Sequence, residues 1–229
     1  RTDKYEQPDT DFPTDVRTMV LQGDTLWIGS LNGLYTYQLK SRQLNHFDSK
    51  QTGLPHNTIY SVIQTKDNQI YIGTYNGLCR YVQASGKFEN ILLPVNRGGS
   101  NLFVNSLLED TTRQCIWIGM EGYLFQYNPT TGEMKAIEVF HNNSIKSLAL
   151  DGDENLLAGT DNGLYVYQND KEPLQHIIHD SRNIQSLTNN IIWNIFSDQE
   201  HNIWLGTDYG ISLSRYNSAL QFVPISQIT

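Results

Sequence analysis

Cysteine is scarce in this 229-residue sequence, and long apolar runs are missing from it. Its only two cysteines, Cys79 and Cys115, lie in separate segments and form neither a disulfide framework nor a Cys-x-x-Cys metal pair. We therefore expect both to be small, free core or turn residues. No stretch of eighteen apolar residues is present, so none of these residues is expected to span a membrane as a helix.

Positive charge is also in short supply, because 16 basic residues face 24 acidic ones and the net charge is −8. Without a basic groove, a nucleic-acid partner is not expected. The sequence has no nucleophile elbow, phosphate-binding loop or zinc spacing. The acidic run Asp151–Asn155 resembles a calcium loop, but it lacks the glycine and the distal glutamate that such a loop needs. A hairpin turn explains this run, and we predict no metal and no cofactor.

The sequence does contain a motif that is repeated five times. In each copy an apolar segment ends in glycine, a short polar corner follows, and a second apolar segment begins, as in Leu26–Tyr35. These glycines are 40 to 47 residues apart, a spacing typical of β-propellers, and no helical periodicity accompanies it. The five glycines are Gly29, Gly73, Gly119, Gly159 and Gly206.

Each repeat is predicted to form four strands. In the second repeat they are expected at Ile59–Thr65, Ile70–Thr74, Leu78–Val82 and Lys87–Leu92, with glycine and asparagine in the turns, where a positive φ costs little. In the third repeat Gly122 comes one residue earlier than the corner glycine of the other copies, which predicts a corner shorter by one residue.

A lone sheet of this kind has two apolar faces and cannot bury both, whereas radial stacking of several sheets buries them all. The fold class predicted is therefore all-β: a β-propeller of four-stranded antiparallel blades over residues 1–229. Five repeats are fewer than the seven that commonly close a ring, so we expect a part of a larger, seven-bladed propeller, with a native five-bladed ring as the alternative. The repeats are predicted at about 14–47, 54–93, 102–140, 143–180 and 187–225.

Two packing expectations follow from the repeat. The glycine before each corner is expected to allow close approach of a neighbouring backbone, since a side chain there would be in the way. The strand-two aromatic residues Trp27, Trp117 and Trp204, with Tyr71 and Leu157 at the same position, are expected to fill equivalent space between blades.

Two segments carry a resemblance to a known family. Leu187–Asp198 followed by Asn202–Gly210, and Gly53–Val62 followed by Ile70–Thr74, resemble the two-component regulator propeller repeat. The resemblance extends over all five repeats. It implies the periplasmic, extracytoplasmic sensor part of a hybrid two-component system of polysaccharide-degrading bacteria, with a transmembrane helix and a histidine kinase elsewhere in an inner-membrane protein.

The same resemblance implies the partners of this domain. These would be a glycan-derived oligosaccharide, bound without catalysis, and the other domains of the same sensor. It also allows a homodimer of the full-length protein. The domain itself is predicted not to be an enzyme.

Candidate ligand-binding residues come from two sets of positions. In strand one, the columns on either side of one position keep their chemistry across the repeats, while that position varies completely. The corners after strand two carry amides, carboxylates and rings, which suit sugar hydroxyls and pyranose faces. The alternatives are an unconstrained solvent-facing column and ordinary turn geometry. The variable column is Arg17, Tyr60, Asn105, Lys146 and Trp193, and the corner candidates are Tyr75, Asn76, Asp161, Asp208 and Tyr209.

Two other functions are kept open. A protein-interaction scaffold would present an exposed apolar end surface instead of a polar one. A propeller lyase or glycosidase has less support, because a sialidase needs an arginine cluster and a lyase needs a histidine beside a metal or a carboxylate pair. Only His56 lies in a loop expected near the central channel.

Overall fold

Strands make up almost all regular structure in the computed structural model, which describes residues 12–95, 102–137, 140, 143–168 and 175–224. Within those ranges the single α-helix is α1, Ser49–Thr52, and no helix has the length and apolar character needed to cross a membrane. Residues 138–139, 169–174 and 225 of the predicted repeats lie outside the described residues. The chain divides into two compact units, Arg1–Leu92 and Leu93–Thr229, which are described in turn.

The first unit contains blades one and two. Both are four-stranded antiparallel sheets whose strands pair in sequence order. Blade one consists of β1 Val16–Gln22, β2 Thr25–Ser30, β3 Gly33–Gln38 and β4 Leu44–Phe47, and blade two consists of β5 Ile59–Gln64, β6 Ile70–Thr74, β7 Gly77–Val82 and β8 Lys87–Ile91.

The second unit contains blades three to five, built in the same way. The predicted class, all-β with four-stranded antiparallel blades, is confirmed. Blade three has β9 Val104–Asp110, β10 Cys115–Met120, β11 Leu124–Tyr127 and β12 Met134–Ile137; blade four has β13 Ile145–Leu150, β14 Leu156–Thr160, β15 Gly163–Tyr167 and β16 Gln175–Ile177; blade five has β17 Ile192–Ser197, β18 Ile203–Thr207, β19 Gly210–Ser214 and β20 Val223–Pro224.

A hydroxyl group closes the corner after strand two. Thr160 Oγ1 donates to the carbonyl of Gly163 at 2.8 Å and accepts from the backbone N–H of Asn162 at 2.9 Å. Gly163 has a φ of 96°, which glycine adopts without strain. The hydroxyl therefore satisfies the corner backbone inside the turn. Equivalent bonds are made by Ser30, Thr74 and Thr207.

The third corner shows that one sequence expectation is wrong. Gly119 pairs with Leu124 as Gly29 pairs with Leu34, so the corner has the same number of residues as the others. Its glycine, Gly122, lies one position earlier in the corner than in the other copies. Met120 occupies the position of the corner hydroxyl residue and supplies no hydroxyl.

The strand-two glycines sit directly against the neighbouring blade. A Cβ built on Gly159 would lie 2.6 Å from Cγ2 of Ile192, the first residue of strand one in the next blade. Gly29 and Gly119 stand in the same relation to the next blade's isoleucine. The next blade does approach closely at these three glycines, but the expectation of a backbone is wrong, because the group that approaches is a side chain. At Gly206 the nearest atom to such a Cβ is 3.9 Å away and belongs to the same blade.

The expected aromatic packing holds at four of the five equivalent positions. Trp27, Trp117, Tyr71 and Leu157 are at most 3% exposed. Trp204 is only half-buried, so the prediction that it is a fully buried core residue is wrong. The cause is its direction, since side chains alternate along a strand and its neighbours on either side face blade four.

Candidate functional site

Every first strand carries a β-bulge at the same place. In blade five, Ile192 pairs with Thr207 and Asn194 pairs with Gly206, which leaves Trp193 as an extra, unpaired residue. A bulge redirects the side chain of the extra residue, and bulges are common beside binding sites. The five bulge residues are Arg17, Tyr60, Asn105, Lys146 and Trp193, the complete variable column of the sequence.

The bulge explains why this column varies. Its side chains leave the alternating pattern of the strand, so the packing that fixes the flanking columns does not constrain them. A second feature of the sequence also indicates the bulge. Ile192 and Ile195 belong to one core cluster although they are three residues apart, and strict alternation would place them on opposite faces.

In the second unit, two bulge side chains reach across to strand one of the next blade. Asn105 Nδ2 donates to the carbonyl of Ile145 at 3.1 Å and to Ser144 Oγ at 3.3 Å. Lys146 Nζ lies 4.5 Å from the ring centroid of Trp193, within cation–π range. These residues therefore link successive blades at one end of the strands.

Trp193 is the centre of the strongest candidate site. Its ring is 56% exposed, and its indole Nε1 donates to Asp208 Oδ1 at 2.5 Å. With Lys146 over the ring, a cation, an aromatic face and a carboxylate are in direct contact. We call Lys146, Trp193 and Asp208 the tryptophan cluster. Tyr209 follows in the same corner and is 80% exposed.

The remaining candidates are described within their own units. Asp161 Oδ1 accepts from the backbone N–H of Ser144 at 2.9 Å, which ties the corner of blade four to the start of its first strand. In the first unit, the ring of Tyr75 lies 4.9 Å from that of His56, while Asn76 has an exposed side chain. Also in that unit, Arg17 is exposed and Tyr60 is half-buried.

Ser144 is a contributor that the sequence did not single out. Its hydroxyl accepts a hydrogen bond from Asn105 of blade three, and its N–H donates to Asp161 of blade four. Ser144 therefore joins blades three and four. A lone serine in a polar loop gave no sign of this position.

The groups described here whose pKa values are shifted take part in core packing or in hydrogen bonds within a blade. Burial raises the pKa of Cys115 to about 11, and both cysteines are free and buried. Burial also tends to raise the pKa of Asp110, but hydrogen bonds from the indole of Trp117 and from Arg113 lower it below its usual range. The indole of Trp204 lowers the pKa of Asp198 to about 2.

Similarity to known proteins agrees with this geometry. A family model described as "Two component regulator propeller" matches residues 53–76 and 186–209. The extracellular domain of the hybrid two-component system BT4673 from B. thetaiotaomicron is 81% identical, with a TM-score of 0.90 over 97% of this chain and 30% of that one. The extracellular domain of BT3049 from the same organism shares the fold, at 23% identity and a TM-score of 0.72 over 87% of this chain and 26% of that one.

A longer relative is Histidine kinase P4 of Formosa agariphila, which is 27% identical over 212 residues, 85% of this chain and 15% of its own length. This chain therefore spans less than a third of each of these three proteins. Such partial coverage fits a larger propeller.

Proposed function

We propose that this chain, two segments of which match the two-component regulator propeller model, is part of a periplasmic sensor that binds a glycan-derived oligosaccharide without transforming it. The BT4673 domain, at 81% identity, is an extracellular domain of a hybrid two-component system. The chain belongs with sensor domains rather than enzymes, as the sequence predicted. We propose three further properties of this sensor: its ligand is an oligosaccharide, it lies in the periplasm, and it is coupled to a kinase.

The observation that carries the proposal is the tryptophan cluster. An exposed indole offers an apolar face of the kind that pyranose rings contact, and polar groups at its edge can exchange hydrogen bonds with sugar hydroxyls. The Asp208 carboxylate holds the indole through Nε1, and Lys146 covers part of the ring. The ring is therefore held in place before a ligand arrives, which lowers the entropic cost of binding.

The test is calorimetry of the intact ectodomain with a panel of glycan fragments, together with analysis of the products. Trp193→Ala should weaken binding of the active fragment about tenfold, or about 1.4 kcal/mol. Ile184→Ala is the control, because Ile184 is a 73% exposed apolar side chain of the same unit that belongs neither to the cluster nor to the exposed face of blade five. Equal effects of the two substitutions, or turnover of a glycan, would contradict the proposal.

We propose that blade five is covered by a further blade of the same sensor. Its exposed face contains Phe196, Ile211 at 44% exposure and the half-buried Trp204. The equivalent residues of blade four, Ala149, Leu164 and Leu157, are at most 8% exposed because blade five packs on them. A surface with this pattern supports packing against another repeat, and it is also the surface that a protein partner would use in the scaffold alternative. A longer chain in which Phe196 remains exposed would contradict the proposal.

A further inference from the structure

A cleft of about 420 Å³ lies between blades four and five, near the turns that join strands one and two. Two carboxylates, Asp151 and Asp153, border it, and its apolar part includes Val166 and Ile203. The cleft lies entirely within the second unit. It is separate from the tryptophan cluster, none of whose residues line it.

At the equivalent junction between blades three and four, two rings and a guanidinium of the protein lie beside an opening of about 470 Å³ that Arg113, Gln126 and Lys135 border. The indole Nε1 of Trp117 donates to Asp110 Oδ2 at 2.9 Å, and the ring of Tyr167 packs against Trp117 with centroids 5.6 Å apart. Arg113 then bridges the junction. Its Nη1 donates to Asp110 Oδ2 at 2.7 Å and to the carbonyl of Glu154 at 2.8 Å, while Nη2 donates to the carbonyl of Gln168 at 2.9 Å.

Blades four and five lack each of these groups. The strand pairings place Leu157 where blade three has Trp117, and Ser214 where blade four has Tyr167. The turn Asp151–Asn155 is one residue shorter than its counterpart and carries no arginine. A leucine and a serine thus stand in place of the two rings, and no guanidinium of the described residues is bonded to the Asp151 carboxylate.

The groups that bind the Arg113 guanidinium nevertheless have counterparts here. Asp151 is equivalent to Asp110, and its Oδ2 accepts only from Asn155 Nδ2 among the hydrogen bonds of the described residues. The carbonyls bound by Arg113 belong to Glu154 and Gln168, whose equivalents in blade five are His201 and Arg215. Both of these residues line the cleft, and His201 shares the left-handed φ of 62° found at Glu154.

One wall of the cleft is held rigidly. The rings of Tyr216 and His201 lie 5.3 Å apart and pack so closely on Gly152 that a Cβ there would be 2.6 Å from Tyr216. The loop that follows Tyr216 has left-handed backbone at Ala219 and Leu220, with φ of 51° and 55°. Such conformations are rare for these residues and often accompany a binding site.

We propose that this cleft binds a guanidinium group, as presented by the arginine side chain of another polypeptide segment. The planar cation takes the place that Arg113 holds one blade earlier, with its N–H groups on the Asp151 carboxylate and its face against Tyr216. The two carboxylates outnumber Arg215, the cationic side chain that also borders the cleft and is itself exposed.

The test uses L-argininamide as the probe and NMR titration of this chain as the measurement. We expect saturable shifts at Asp151–Asn155 and around Tyr216, and at least tenfold weaker binding of L-citrullinamide, its neutral isostere. Asp151→Asn should weaken L-argininamide binding about tenfold or more, since a charge-assisted bond is lost. Asp24→Asn removes the same charge in the other unit and should change nothing.

A second variant keeps the proposal testable if Asp151→Asn unfolds the chain. Leu157→Trp restores the residue of blade three, and its indole can donate to Asp151 and occupy the cleft. This variant should abolish L-argininamide binding in a chain that still unfolds cooperatively. Equal binding of L-citrullinamide, shifts located elsewhere, no saturable shifts at all, or unchanged binding in a folded Leu157→Trp variant would overturn the proposal.

Discussion

Gly159→Ala should destabilise the protein, whereas the same substitution at Gly206 should not. A Cβ at Gly159 would lie 2.6 Å from Cγ2 of Ile192, and ordinary carbon contacts are about 3.5–4.0 Å. Ile192 is fully buried, so it must move by about 1 Å within a packed interface. Overpacking of this kind costs about 1–3 kcal/mol. The loss of glycine's freedom in the unfolded chain offsets about 0.4–1 kcal/mol of that cost.

The expected net loss is about 1–2 kcal/mol in the free energy of unfolding, or a melting temperature lower by about 2–8 °C. The Cβ of Gly206→Ala would be 3.9 Å from its nearest neighbour, Cβ of Asn194, which is an ordinary contact. This substitution should be neutral or stabilising by up to about 1 kcal/mol. Urea denaturation of both variants measures the difference. Equal stabilities would refute the interpretation that the repeated glycine exists to admit the next blade's isoleucine.

The same pair of variants also tests the proposed further blade. In a longer chain that carries a repeat against blade five, a residue equivalent to Ile192 would face Gly206. Gly206→Ala should then become as destabilising as Gly159→Ala. If it stays neutral in the longer chain, no blade packs there in the manner seen at Gly29, Gly119 and Gly159.

Three more outcomes are expected. Trp117→Ala should cost about 3–5 kcal/mol in urea denaturation, because the ring is fully buried, whereas Trp204→Ala should cost less in this chain; equal losses would contradict the assigned burial. Stability should fall as the pH drops from about 4 towards 2, since Asp198 and Asp110 have lowered pKa values and their contribution, present above the unfolded pKa, is lost on protonation; acid titration followed by circular dichroism would show it, and Asp110→Asn should reduce the slope. Thr160→Val should cost about 1–3 kcal/mol in thermal unfolding by leaving the corner backbone unsatisfied, and an unchanged melting temperature would refute the hydroxyl's role.

The repeat made most of the fold predictable from the sequence. The repeated motif, with its glycine and its corner hydroxyl, forms the same four-stranded sheet in each copy. The bounds of the four strands of blade two could therefore be predicted to within one residue. The errors have two causes. Gly122 differs in position from the other corner glycines and was taken as a shorter corner, although strand pairing keeps the length constant. Trp204 and Gly206 match their counterparts in sequence, but they lie on the exposed face of blade five.

The candidate site was predictable in outline only. Variation within an otherwise constant strand identified Lys146 and Trp193, because residues freed from packing differ between copies. That Lys146 covers Trp193 and that Asp208 holds the indole depend on the path of the backbone through the bulge. The cleft beside Tyr216 left no such pattern in a single repeat. It emerges only when the side chains missing from one junction are compared with those present at another.

The bulge has a consequence for how such a protein can change over time. Because the extra residue of each first strand lies outside the ladder of paired residues, replacing it removes no strand hydrogen bond and leaves the alternation of the strand intact. Five structurally equivalent positions can therefore acquire new chemistry one codon at a time without the loss of a strand pairing. The proposed recognition and the architecture depend on different positions of the same strand, so a duplicated gene could change the proposed ligand while keeping every blade.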